Sequence, residues 1–252
     1  MSDPLIIVGV ADGVGRMRLN RPDKRNAISA AMAAQIHEAM EQLDAAGDVR
    51  VIVVEGAAGA FSAGADMTES NASYEAGERR FNPSSEAAAR VGASPKPTIA
   101  AVDGPAYGAG ALLACACDIR VVTERTRFRF PGADYGLVVG AAGLAVLVGN
   151  ALAKELIYTS RVVDAAEAAR IGLANRVVGN DALAAAVDEL AEQITEGSPL
   201  AAAWAKRVID AATGSAAAEL EAQADLVLRG GADHRARFAR ATRRVTGGGA
   251  GA

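Results

Sequence analysis

Histidine, cysteine and tryptophan are scarce in this chain of 252 residues, numbering two, two and one. His37 and His234 both fall in predicted helices, and no Gly-x-Ser-x-Gly turn occurs, so a serine hydrolase arrangement is missing. Cys115 and Cys117 form a C-x-C pair inside a helical run. That spacing suits neither a disulfide nor a zinc site, and it leaves both as small buried apolar residues in a reduced, cytoplasmic setting. No apolar run reaches about 18 residues without a polar interruption, so no membrane span is expected. The opening MSDPLIIVGV lacks the charged-then-apolar pattern of a leader and reads as a strand. The net charge is −4 with no basic stripe, which argues against a nucleic-acid partner. Gly13-x-Gly15 lacks the third glycine and the setting of a dinucleotide fingerprint.

What is present is a 51% apolar chain with strand and helix patterns in alternation. Leu5–Val10 and Val14–Leu19, around Ala11-Asp12-Gly13, read as a hairpin. Ser29 caps a helix to about Ala46 with Met32, Ile36, Met40 and Leu43 on one face. Val51–Val54 is a continuous apolar run, as in a strand buried on both sides. Residues 67–94 are polar and irregular, a mobile lid or a partial helix. Thr98–Val102 and Ile119–Thr123 are further strands, and helices start near Gly143 and at an Asp164 cap. Beyond 181 the pattern is helical: a stripe of Leu183, Val187, Leu190 and Ile194, a helix opened by Ser198-Pro199 with Leu200, Trp204 and Val208, and a last helix holding Leu220, Leu226 and Phe238. The tail GGGAGA reads as flexible. Together this is an α/β core with a helical appendage.

Residues 96–118, KPTIAAVDGPAYGAGALLACACD, carry the most information. A strand is followed by Gly104, Gly108 and Gly110, and then by a small-residue helix. Glycines there allow a tight turn and close approach, and the helix-opening amides lack intrahelical partners. Such a segment is either a plain tight turn or an anion-binding one. A second strand, Val51–Val54, runs into FSAGAD, Phe61 to Asp66.

FSAGAD, KPTIAAVDGPAYGAG with its following CD, LNRPDKRNA (Leu19 to Ala27) and RVVDAAEAARIGLANRVV (Arg161 to Val178) come in an order that resembles the crotonase superfamily, the enoyl-CoA hydratase/isomerase family. The resemblance spans about residues 5–180. It implies a crotonase-like spiral of ββα units in residues 1–195. Residues 196–252 would form a helical region for oligomerisation as a homotrimer or a dimer of trimers, the alternative being that these helices cap the core of a monomer. It implies an acyl-CoA thioester as ligand, no cofactor, and a place in fatty acid or related acyl-CoA metabolism.

The resemblance assigns an oxyanion hole to the amides of Ala65 and Ala109, the second a position usually held by glycine. Alanine serves there if its φ stays negative. Lys24 and Arg25 match the loop that holds the adenine and 3′-phosphate, though by themselves they also read as a solvated loop. Ala27, Ala63, Ala65, Asp66, Met67, Tyr107, Leu112, Gly132 and Tyr135 complete the expected substrate contacts. The two hydratase glutamates are replaced, by Leu112 in Gly110–Ala114 and by Gly132 after Pro131. Neither can move a proton, so classical water addition is expected to be weak or absent. Asp134 is the candidate acid or base if residues 132–134 are extended and it points as Gly132 does; a turn or interface contact is its other reading. Asp66 reads as a helix cap. A non-catalytic acyl-CoA carrier or sensor is the rival function, favoured by Leu112, which could pack against an acyl chain.

Overall fold

A computed structural model describes residues 4–77, 82–212, 226 and 228–245. The chain opens with a hairpin of β1 (Ile6–Ala11) and β2 (Val14–Leu19). Helix α1 (Ala30–Ala45) follows, with the Ser29 hydroxyl accepting the Met32 amide. Strand β3 (Val51–Gly56) pairs parallel to β2. The polar stretch expected to be a lid or partial helix contains α2 (Met67–Glu75) and α3 (Pro83–Gly92). Then come β4 (Thr98–Val102), β5 (Pro105–Tyr107), α4 (Ala109–Ala116), β6 (Ile119–Thr123) and β7 (Arg127–Arg129). Helices α5 (Ala141–Val148) and α6 (Asn150–Thr159) lead to the short β8 (Val163–Asp164), α7 (Ala165–Arg170) and β9 (Arg176–Val178). The chain continues as α8 (Leu183–Glu196), α9 (Pro199–Ala212) and α10 (Ala232–Val245).

Two sheets result. One is six-stranded in the order β1-β2-β3-β4-β6-β9 and parallel after the hairpin; the other is β5-β7-β8. The continuous apolar runs are explained by helices on both faces of the larger sheet. Ile52, Val54, Ala100 and Val102 face the main core with Met32, Ile36 and Leu113. Their neighbours Val51, Val53, Ile99 and Ala101 face Val187, Leu190 and Ala191 of α8. Alternate side chains of a strand point to opposite sides, so both registers must be apolar.

Two expectations change. Leu226 and Phe238 are not on one helix, because Gly230, at φ +69°, and Gly231 interrupt the chain before α10. Leu226 is exposed while Phe238 is buried. Leu220 and the GGGAGA tail lie outside the described residues. Helix α6 has no counterpart among the helices expected from the sequence; an αL residue, Ser160, ends it. Cys117 is buried, but Cys115 is only half-buried at the residue level. Burial pushes their thiols up to about 12 and about 11, which keeps both protonated at neutral pH. Among the described residues no helix is long and apolar enough to cross a membrane.

Candidate active site

Three loops meet where the sequence motifs meet. The first, residues 61–66, leaves β3; the second, 104–108, joins β4 to α4; the third, 20–28, leaves β2. Ser62 donates its amide to the Pro105 carbonyl (3.0 Å) and accepts the Tyr107 amide on its own carbonyl (3.0 Å). A Cβ on Gly64 would lie 2.9 Å from the Tyr107 oxygen and 3.7 Å from the Ala109 nitrogen, and one on Gly110 would lie 2.4 Å from the Ser62 oxygen. These backbones touch, and a side chain at either position would part them. Gly64 also has φ +111°, a conformation L side chains rarely adopt.

The direction of the two amides follows from peptide planarity. In a trans peptide the C=O and the next N–H point opposite ways. The Gly64 carbonyl accepts the Ile28 amide at 2.7 Å, so the Ala65 N–H of the same peptide points away from Ile28. The Gly108 carbonyl accepts the Leu112 amide at 3.0 Å, so the Ala109 N–H points out of the start of α4. Ala109 keeps a negative φ, as an alanine donor there requires. Among the described residues neither amide donates to a protein acceptor. Both residues line one cleft of about 1110 Å³. Two neighbouring unpaired N–H groups, one carrying the positive end of a helix dipole, make a place for a partial negative charge.

The cleft also gathers Lys24, Arg25, Ala27, Ala63, Asp66, Met67, Tyr107, Leu112, Gly132 and Tyr135. Lys24 and Arg25 are exposed at its rim, on a loop with Arg25 and Asn26 at φ +47° and +56°. The buried Asn26 holds that loop, donating to the carbonyls of Ala57 (3.0 Å) and Ala60 (2.7 Å). Asp66 caps α2 by accepting the Thr68 and Glu69 amides and pairs with Arg21 at 2.7 Å. Burial by itself would raise its carboxyl; the Arg21 guanidinium and the two amides outweigh that and hold it below the ordinary 3.8. Leu112 is half-buried and leans over Gly140, where a Cβ would lie 2.0 Å from its Cδ2.

Asp134 is placed differently from expectation. Residues 133–135 form a 3₁₀ turn with Gly132 in the helical region (φ −55°, ψ −48°), so the alternation of an extended segment does not apply. The Asp134 carboxylate is exposed, takes Arg129 Nη2 at 2.7 Å and does not line the cleft. Tyr135, its neighbour, does line it, and burial pushes its hydroxyl up, so it stays protonated.

Sequence reasoning missed the wall beyond Leu112. Phe238 of α10 packs edge-on against Tyr74 of α2 (5.3 Å between ring centres) and Tyr135 (6.0 Å). Arg229, buried at 5% exposure, donates to the Tyr74 hydroxyl at 2.7 Å, and both line the cleft. The only sequence signal was an apolar residue on a terminal helix, which says nothing of where that helix folds. Among the described residues no group of three or more His, Cys, Asp or Glu comes together as a metal site.

Comparison with known proteins agrees with this geometry. A family model described as enoyl-CoA hydratase/isomerase matches residues 9–236. A putative enoyl-CoA hydratase of Thermus thermophilus is 36% identical over 202 residues, covering 78% of this chain and 80% of that protein. The enoyl-CoA hydratase domain-containing protein 2 of Bos taurus is 37% identical over 214 residues, 81% of this chain and 72% of the relative. The crystal structure of an enoyl-CoA hydratase/isomerase from Xanthobacter autotrophicus superposes with a TM-score of 0.85 at 32% identity, covering 96% of this chain and 94% of that one. With its fold, its paired loops and these relatives in agreement, the chain belongs to the enoyl-CoA hydratase/isomerase family, the crotonase superfamily.

Proposed function

We propose that this chain binds an acyl-CoA thioester with the thioester oxygen between the amides of Ala65 and Ala109. The single observation that carries the reading is that these amides, unpaired among the described residues, sit side by side in one cleft whose rim bears Lys24 and Arg25. Those cations suit the 3′-phosphate and the adenine end. The amides stabilise negative charge growing on the thioester oxygen, as in an enolate, with one such donor worth about 3–4 kcal/mol.

Proton transfer is where this member differs from a hydratase. Leu112 and Gly132 supply no acid or base, and Asp134 is engaged by Arg129 away from the cleft. Tyr135 is one protic side chain of the wall, beside Tyr74 and Arg229, and burial keeps its hydroxyl a donor. The reading is therefore of an enoyl-CoA hydratase/isomerase-type protein of acyl-CoA metabolism with weak or no water addition. The half-buried Leu112 favours a second reading, a carrier or sensor that packs the acyl chain and does not turn it over. The exposed apolar side chains of α9, with Leu200 at 69% and Val208 at 66%, support packing against further copies as a trimer or dimer of trimers.

The test pairs binding with turnover. Wild-type protein is expected to bind crotonyl-CoA and to hydrate it poorly, and Leu112→Glu combined with Gly132→Glu is expected to raise hydration about 10²–10⁴-fold. Fast hydration by the wild type would overturn the site assignment. Tight binding without turnover of any enoyl thioester would select the carrier.

A further inference from the structure

The loop expected to hold the CoA end and the loop that carries the Ala65 donor are joined at five points. The Ala63 amide donates to the Arg25 carbonyl (2.9 Å), the Ile28 amide to Gly64 (2.7 Å) and the Asp66 amide to Ile28 (2.9 Å). The Ser62 hydroxyl donates to the Asn26 carbonyl at 2.7 Å. The fifth is the ion pair of Arg21 and Asp66, whose side chains are 20% and 15% exposed. Arg21 Nη1 donates at once to Asp66 Oδ2 (2.7 Å) and to the Ala27 carbonyl (3.1 Å), so one group spans both loops. Asp66 immediately follows Ala65, and Arg21 opens the segment that presents Lys24 and Arg25. Glu69, whose amide Asp66 accepts, in turn accepts the Ala30 amide at 2.8 Å, so the starts of α1 and α2 are clamped at the same place.

This arrangement leaves the loop with little freedom of its own. Arg25 and Asn26 are adjacent non-glycine residues in the left-handed region, a conformation that persists only where neighbours enforce it. The direction of the Ala65 N–H is in turn set by the Ile28 bond to Gly64. A shift of the loop at Arg25 must therefore be felt at Ala65.

We propose that Arg21 and Asp66 are positioning residues that transmit the seating of the CoA phosphate end at Lys24 and Arg25 to the Ala65 amide, so that the remote end of the ligand aligns the oxyanion donor. This deepens and rests on the acyl-CoA reading above. Binding energy from a non-reacting part of the substrate is then spent at the reacting carbonyl.

The experiment compares butyryl-CoA with butyryl-pantetheine, which lacks the phosphorylated nucleotide, each labelled with ¹³C at the carbonyl. The infrared carbonyl band of the bound ligand reports how strongly the amides polarise it. In the wild type the CoA thioester is expected to show the larger downshift. In Asp66→Asn the two ligands are expected to give the same smaller shift, and the preference for CoA over pantetheine in binding is expected to fall about tenfold. Arg21→Lys, which keeps the charge but not the fork, is expected to lose part of the difference. A wild type that shifts neither carbonyl would sink the acyl-CoA hole and this inference with it. Equal shifts for both ligands in the wild type, a comparison that needs no variant, would overturn the coupling alone. So would variants that weaken both ligands' shifts by the same amount, because that is what a merely structural ion pair does.

Discussion

The floor of the cleft around Ala65 and Ala109 and its aromatic wall hold their shapes by different means. The floor is made of loops whose backbones bond to one another at 2.7–3.0 Å, with Gly64 and Gly110 where a Cβ would strike the facing backbone. The wall is made of rings: Tyr74, Tyr135 and Phe238 from three separate segments, in edge-on contact. Backbone bonds at several points fix the direction of the peptide groups between them. Ring contacts fix shape while leaving rotation possible. The difference teaches that backbone bonding between loops holds the direction of a group, whereas a face assembled from distant segments holds a shape.

The comparison can be broken at each end. The largest effect is expected at the wall, where Phe238→Ala removes the ring that joins α10 to α2 and Tyr135. The loss of a buried aromatic costs about 3–5 kcal/mol, expected as faster amide exchange in residues 232–245 with α4 unchanged. If α4 loosens as well, floor and wall are one unit and the distinction fails. Next is Gly64→Ala at the floor. Its Cβ would meet the Tyr107 carbonyl at 2.9 Å on a φ of +111°, so the loops must part. Any thioester turnover is expected to drop about 10²–10³-fold, the scale of one lost donor, while α10 keeps its exchange protection.

The smallest effect is expected from the negative charge of Asp66, which pairs with Arg21 and sits at the start of α2, at about 1 kcal/mol or less. Its carboxyl is held below 3.8 in the folded chain, so its contribution is full above that pH and is lost as pH falls through the folded value. The stability advantage of the wild type over Asp66→Asn, followed by urea unfolding, should be flat near neutral pH and shrink in acid. An advantage that instead grew in acid would mean that Arg21 does not engage the carboxylate.

The floor was legible because each of its parts is local in sequence. A strand run ending in FSAGAD or in VDGPAYGAG announces its own turn, and the family resemblance, not the spacing, assigns roles to Ala109 and Leu112 at the helix start that follows. The Ser29 and Asp164 caps were legible for the same reason, since each lies within three residues of the amide it accepts. The sequence left Asp134 between two readings, an acid or base on an extended segment and a turn or interface contact, because nothing local distinguishes a strand from a turn across residues 132–134. A 3₁₀ turn closes there, with the Gly132 carbonyl taking the Tyr135 and Leu137 amides. The Arg21–Asp66 pair was not visible, since 45 positions separate the partners.

By itself the sequence determined the fold class, because periodicity and capping are properties of neighbouring residues, and its ordered motifs carried the resemblance to the family. Only the tertiary structure decided which way the Ala65 amide points, that Asp134 turns aside to Arg129, and that α10 returns to wall the cleft. The first and the last depend on contacts between segments far apart in the chain, of which local pattern carries no record, while Asp134 is turned by a short 3₁₀ closure that composition does not announce.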